Sequence, residues 1–172
     1  MEVIQLINKA INAALFAGIK IRDVYSSPSF DVQIKDDQTP VTIADHQAHE
    51  EILKQLEDTK LPILSEEGVH LRYSERKSWN LFWMVDPLDG TKEFIKRNDE
   101  FTVNIALIKD CHPIAGVIYA PVIGELYVGI PGTGAFKLFN PSEDCTFQTM
   151  QLSGIKLPEK SKSEEFIVVV SR

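Results

Sequence analysis

Residues 101–139, FTVNIALIKDCHPIAGVIYAPVIGELYVGIPGTGAFKLF, decide the fold. They hold four β-rich runs, Phe101 to Ile108, Ile114 to Ala120, Glu125 to Ile130 and Ala135 to Phe139, separated only by Asp110-Cys111-His112-Pro113, Pro121 to Gly124 and Pro131-Gly132-Thr133-Gly134. Connections this short leave no room for a crossover helix, so consecutive strands must pair antiparallel. Two further short apolar runs precede them, Leu61 to Leu64 and Leu81 to Val85, each emptying into an acidic turn. Before these lie two amphipathic helices. One runs from Glu2 to about Tyr25, with Val3, Ile4, Leu6, Ile7, Ile11, Ala14, Leu15 and Ile19 at three- and four-residue steps. The other runs from about Thr42 to Leu56, with Asp45, Glu50 and Glu51 crowding the half where the helix dipole favours negative charge. Asp31 to Lys35 alternates as a short strand between them, before the turn-rich Asp36-Asp37-Gln38-Thr39-Pro40. The expected fold class is α+β, a layered domain in which two N-terminal helices cover one face of a mostly antiparallel sheet. Residues 140–165, rich in Pro, Ser, Lys and Glu, read as a linker, and Phe166 to Val170 as one further, fully apolar strand.

The 172 residues, 44% hydrophobic and 25% charged, suit one soluble domain and the start of another. A net charge of -7 argues against nucleic acid as a partner, since a phosphate-backbone face needs clustered Lys and Arg. The acidic surplus fits cation binding and solubility alike. Cys111 and Cys145 form no CxxC pair and have no histidine at zinc-ligand spacing, so a reducing compartment is the default. No stretch approaches the ~20 apolar residues of a membrane span. The expected localisation is therefore cytoplasmic, with peripheral membrane association compatible with it.

Asp86-Pro87-Leu88-Asp89-Gly90-Thr91 is the strongest constellation, two carboxylates three residues apart at the mouth of a strand. Mg²⁺ prefers such hard oxygen ligands, so Asp86 and Asp89 with the Leu88 carbonyl suit one or two ions. The amides of Gly90 and Thr91, at the start of a short helix over Lys92 to Ile95, would face an anion. Taken alone, the stretch reads equally well as an Asx-turn with an N-cap. Glu66 and Glu67 also leave a short apolar strand, and Asp37 and Asp45 bracket a Pro-led helix start, which favours a hydrolytic metal site. His46 and His49 lack a third ligand at metal spacing and read as a solvated helix face, and Pro131 to Gly134 reads as a hairpin turn.

Three segments in this order, Asp37-x-x-Pro40-Val41-Thr42-x-Ala44-Asp45, Leu64-Ser65-Glu66-Glu67, and Trp83-x-Val85-Asp86-Pro87-Leu88-Asp89-Gly90-Thr91-Lys92-Glu93-Phe94, closely resemble the inositol monophosphatase-like superfamily of lithium-sensitive, Mg²⁺-dependent phosphatases. The continuation from Lys92 to Ile108 is similar to its 3'(2'),5'-bisphosphate nucleotidases of the CysQ type. The resemblance implies the first half of an α-β-α-β-α sugar-phosphatase-like fold. It implies Mg²⁺ as cofactor, two or three ions in the complete site, bound by Glu66, Asp86, Asp89 and the Leu88 main-chain oxygen. Thr91 with Glu66 would orient the attacking water, and Asp37 would support a second water or metal. Glu66, Asp89, Gly90, Thr91 and Lys92 would hold the substrate phosphate, with Asp45 holding its loop.

The implied substrate is the phosphorylated nucleotide 3'-phosphoadenosine 5'-phosphate, cleaved to AMP and phosphate. The alternatives are an inositol or sugar phosphate, or no turnover by this chain. Members of the family complete the metal site with a Trp-Asp aspartate in a second α/β domain, and neither Trp79 nor Trp83 precedes an Asp. Phe166 to Val170 resembles the first strand of that second domain, so the expected division is a metal-binding domain over 1–158 and a linker end plus first strand over 159–172. A homodimer is compatible with this reading, though no residues specify one.

Overall fold

The computed structural model describes residues 2–28, 32–34 and 40–158. Helix α1 (Val3–Tyr25) is followed by strands β1 (Val32–Ile34) and β2 (Pro40–Thr42), then helix α2 (Ile43–Leu56). Strand β3 (Ile63–Ser65), a single turn α3 (Tyr73–Arg76), strand β4 (Leu81–Asp89) and the short helix α4 (Thr91–Lys96) come next. The sheet is completed by β5 (Thr102–Lys109), β6 (His112–Ala120), β7 (Glu125–Ile130), β8 (Gly134–Phe139) and β9 (Ile155–Leu157), with helix α5 (Phe147–Ser153) between the last two. Seven strands lie in the order β3-β4-β5-β6-β7-β8-β9, while β1 and β2 form a separate antiparallel pair. The expected α+β architecture is the observed one. All neighbours in the large sheet are antiparallel except β3 and β4, which are parallel.

One face of the sheet meets the helices. Trp83, Val85, Val103, Ile105, Leu107, Val117, Leu126 and Val128 are buried there with Leu6, Ile7, Ala10, Ile11, Ala14 and Ala17 of α1 and Ala44, Ala48 and Ile52 of α2. The period-two alternation of the strands and the stepped pattern of the helices build this layer together. Small residues let α1 lie close to the sheet. A Cβ on Gly18 would stand 2.4 Å from the Tyr119 ring, whose hydroxyl accepts from Arg22 Nη1 at 2.8 Å. The opposite face carries no long helix among the described residues; the turn α3 reaches one end of it through Arg76. Register places Met84, Ala106, Gly116, Gly129, Ala135 and Leu157 in one row across it.

Three sequence expectations change. The stretch read as a linker contains α5 and β9: Thr146 and Thr149 cap α5, Asn8 of α1 accepts a 2.8 Å hydrogen bond from the Phe147 amide, and Phe147 and Met150 are buried. Polar composition hid two apolar anchors spaced for one helix face. The polar loop through Lys77 holds the turn α3, and β4 runs on past Val85 to absorb the acidic motif. Phe166 to Val170 lie outside the described residues. No helix among the described residues is long and apolar enough to cross a membrane.

Candidate active site

The site begins with strand pairing. Because β3 and β4 run parallel with Ser65 opposite Val85, the residues that follow, Glu66 and Asp86, leave the same sheet edge side by side. The Glu66 amide donates to the Val85 carbonyl at 3.1 Å and fixes that relation. Asp89 reaches the same place through a β-bulge. Asp86 faces Asn104 and Asp89 faces Thr102, so three steps along β4 match two along β5. In an unbroken strand, residues three apart point to opposite faces; the extra residue in the bulge restores them to one. Asn104 Nδ2 then donates to Asp89 Oδ2 at 3.0 Å, and Thr102 Oγ1 donates to Asn104 Oδ1 at 3.0 Å.

The carboxylates perturb one another. The Asp86 carboxyl is pushed up to about 7, first by burial, then by the negative charges of Glu66 and Asp89 and by a hydrogen bond with the Glu66 side chain. Crowded carboxylates of this kind share protons as a coupled pair, or share a cation. The donor chemistry fits Mg²⁺, which takes carboxylate and carbonyl oxygen. Among the described residues no three acidic or imidazole groups converge closely enough to form a ready metal cage.

Gly90 turns the chain into α4 with φ +99°, and a Cβ there would lie 3.0 Å from the Glu100 carbonyl oxygen. Thr91 follows. Its hydroxyl lies 3.1 Å from Asp45 Oδ1 and 3.3 Å from the carbonyl oxygen of the buried Leu88. Asp45 is 1% exposed, and its other oxygen accepts from the Thr42 amide at 2.8 Å and the Thr42 hydroxyl at 2.7 Å, closing a capping box at the start of α2. The acceptor beside Thr91 is thus Asp45. Lys92 is exposed on α4, and Asp37 lies outside the described residues.

The far end of α4 is braced to α1. Arg97 donates to the Tyr25 and Ser27 carbonyls at 2.6 Å each, Tyr25 donates to Asp99 at 2.6 Å, and Tyr25, Phe94 and Phe101 pack as an aromatic trio. His49 is no idle surface group: its Nδ1 lies 2.9 Å from Ser65 Oγ, and burial lowers its pKa, so the ring is neutral near pH 7. On the uncovered sheet face a groove of about 910 Å³ opens beside Glu66 and Asp86 and runs past Met84, Ile118 and Tyr127.

The sequence reading had Glu66, Asp86, Asp89 and Thr91 but gave Asp45 only a structural part and passed over Asn104. Thr42-x-x-Asp45 was legible as a capping pattern. Asn104 and Thr102 are the two polar positions of one face in an otherwise apolar strand, a signal that marks the face turned towards polar chemistry.

Known proteins resemble this chain in sequence and in fold. A 3'(2'),5'-bisphosphate nucleotidase CysQ of Shigella flexneri is 46% identical over 170 residues, which is 97% of this chain and 63% of that protein. The crystal structure of CysQ from Bacteroides thetaiotaomicron, described as a bacterial member of the inositol monophosphatase family, superposes with a TM-score of 0.82 at 49% identity, over 92% of this chain and 59% of that one. An IMPase/NADP phosphatase complexed with Mg²⁺ and phosphate shares the fold at 23% identity and a TM-score of 0.65, over 79% of this chain and 52% of that one. The chain therefore spans roughly half to three-fifths of the length of these relatives. With the inositol monophosphatase family profile matching residues 2–171, the chain belongs to the inositol monophosphatase family.

Proposed function

We propose that this chain carries the acidic half of a cytoplasmic, Mg²⁺-dependent phosphomonoesterase that removes the 3'-phosphate of 3'-phosphoadenosine 5'-phosphate, giving AMP and phosphate. The observation that carries this reading is the delivery of Glu66, Asp86 and Asp89 to one sheet edge by a parallel strand pair and a bulge. In it, Glu66, Asp86, Asp89 and the Leu88 carbonyl hold two or three Mg²⁺ ions together with ligands from a second domain. Bound there, the ions supply charge stabilisation for the transferring phosphoryl group and lower the pKa of a bound water.

The chain's own residues do the remaining work. The Gly90 and Thr91 amides, with Lys92, orient the phosphate at the start of α4. The Thr91 hydroxyl would take a proton from the attacking water as it gives its own to Asp45, whose carboxylate is held by Thr42. Asp37 supports a second water or ion. Residues 1–158 form the metal-binding domain, and 159–172 begin the α/β domain that supplies the last carboxylate and the contacts to the nucleotide. The CysQ relatives favour the nucleotide over an inositol or sugar phosphate.

Phosphate release from 3'-phosphoadenosine 5'-phosphate in Mg²⁺ tests this, with inositol 1-phosphate as competing substrate and lithium and Asp89→Asn as controls. Lithium-sensitive turnover that Asp89→Asn abolishes is expected once the chain is extended to the length of its relatives. A clear preference for inositol 1-phosphate would refute the nucleotide assignment. Full activity in Asp89→Asn would refute the metal assignment.

A further inference from the structure

Helix α2 touches the site twice from one face. Asp45 and His49 are four residues apart, one turn of helix, and so point the same way. Asp45 meets Thr91 on the β4–α4 side, while His49 meets Ser65, the residue immediately before Glu66. We propose that His49 is a positioning residue for Glu66, acting through Ser65 to hold the end of β3 in the place where its carboxylate can share a cation with Asp86. This inference rests on the metal-site reading above.

The need for such an anchor follows from the topology. β3 is only three residues long and, among the described residues, is the outermost strand of the sheet, its backbone paired there on one side. Short edge strands hold their ends loosely. Beyond Ser65 the chain turns at once, closed by the Gly68 amide on the Ser65 carbonyl at 3.1 Å, and Glu66 itself is exposed. The pairing to Val85 fixes the Glu66 backbone in the sheet direction. The imidazole adds a restraint from the helix layer. Nδ1 holds Ser65 Oγ at 2.9 Å, and Cε1 lies 3.8 Å from where a Gly68 Cβ would be, so the ring packs on the same turn it hydrogen-bonds. Groups that orient a ligating residue without touching the metal commonly change affinity about 10- to 100-fold.

The test is Mn²⁺ binding to the purified chain extended to the length of its relatives, read from the paramagnetic resonance signal of free Mn²⁺, with melting temperatures measured in chelator. His49→Leu and Ser65→Ala are each expected to weaken binding about tenfold, and the double variant no further, because both break one link. His49→Asn places an amide near the position of Nδ1 and is expected to restore binding. Should His49→Leu fail to fold, Ser65→Ala and His49→Asn carry the comparison alone. Unchanged Mn²⁺ affinity in Ser65→Ala or His49→Leu, or effects that add in the double variant, would overturn the inference while leaving the metal site standing. No Mn²⁺ binding by the unaltered chain would overturn the metal site and this inference with it.

Discussion

Replacing Asp45 separates its part in folding from its part in chemistry, because its two oxygens do different things. One oxygen accepts from the Thr42 amide and hydroxyl at 2.8 and 2.7 Å, and the other lies 3.1 Å from the Thr91 hydroxyl. Asp45→Ala removes both acceptor oxygens and the three hydrogen bonds they take part in from a site that is 1% exposed, and takes the side-chain acceptor from the Thr42 amide. A buried donor left unsatisfied costs about 1–3 kcal/mol, and hydrogen bonds to a charged group are worth about 1.5–3 kcal/mol each. A total of about 3 kcal/mol or more follows, or roughly 6–12 °C in melting temperature for a chain of this size.

Asp45→Asn behaves differently. Its single oxygen turns towards Thr42, its amide group faces Thr91, and the Thr91 hydroxyl accepts from it while giving its proton to Leu88 O, 3.3 Å away. Every group keeps a partner, so only the charge is lost, at about 1 kcal/mol or roughly 2–4 °C. The polarity of the hydroxyl, however, is reversed. It can no longer send a proton to residue 45, and a general-base contribution of about 10²- to 10⁴-fold disappears. Thermal unfolding of the three chains, with phosphate release measured in chains extended to the length of the relatives, reads both effects. Full activity in Asp45→Asn, or equal melting temperatures for the Ala and Asn variants, would refute this account.

The raised Asp86 pKa gives a second expectation. Since the folded, metal-free chain keeps a proton on Asp86 up to about pH 7 while the unfolded chain releases it near 3.8, folding stability from this group is present at low pH and lost as pH rises through 7. Melting temperature in chelator should fall between about pH 4 and 7 and level off above, Asp86→Asn should flatten that fall, and an unchanged slope in the variant would refute the assignment. Below pH 7, Mg²⁺ must displace this proton, so calorimetric titration in buffers of different ionisation enthalpy should detect proton release on binding, and no release would count against Asp86 as a ligand. Gly90→Ala forces a Cβ onto a φ of +99°, 3.0 Å from the Glu100 carbonyl oxygen. It should lose about 2 kcal/mol, roughly 4–8 °C, and an unchanged melting temperature would show that this turn is not strained.

Much of the fold was legible because its signals are local. Hairpin connections of two to five residues leave no choice of pairing, and α1 and α2 state their buried faces by spacing. What escaped depended on contacts distant in sequence. The linker reading of 140–165 judged composition, whereas α5 exists because Asn8, nearly the whole chain away, caps it and Phe136 receives Phe147 edge-on. The site divided in the same way. Asp86 and Asp89 announced themselves within one hexapeptide, but no local pattern says that β3 lies parallel to β4, and that pairing is what sets Glu66 beside Asp86. Asp45 reads as a residue that holds its loop because one of its oxygens does close the capping box with Thr42; its second oxygen meets a partner 46 residues later. His49 appeared solvated because its partner Ser65 belongs to another element.

The bulge between Asp86 and Asp89 makes the motif a matter of length as much as of chemistry. Side chains on a strand obey parity, so the three-residue spacing of the two aspartates would part them onto opposite faces were it not for the bulge. Deleting Pro87 would keep both carboxylates, the glycine and the threonine and would leave Asp86 and Asp89 on one face of a regular strand, yet it would draw Gly90 and Thr91 back by one residue and begin the helix out of phase with Asp45. Substitutions within the hexapeptide remove one group at a time, and a single-residue insertion or deletion shifts everything that follows it. A protein built this way can drift in its letters around the site, but its spelling cannot change length.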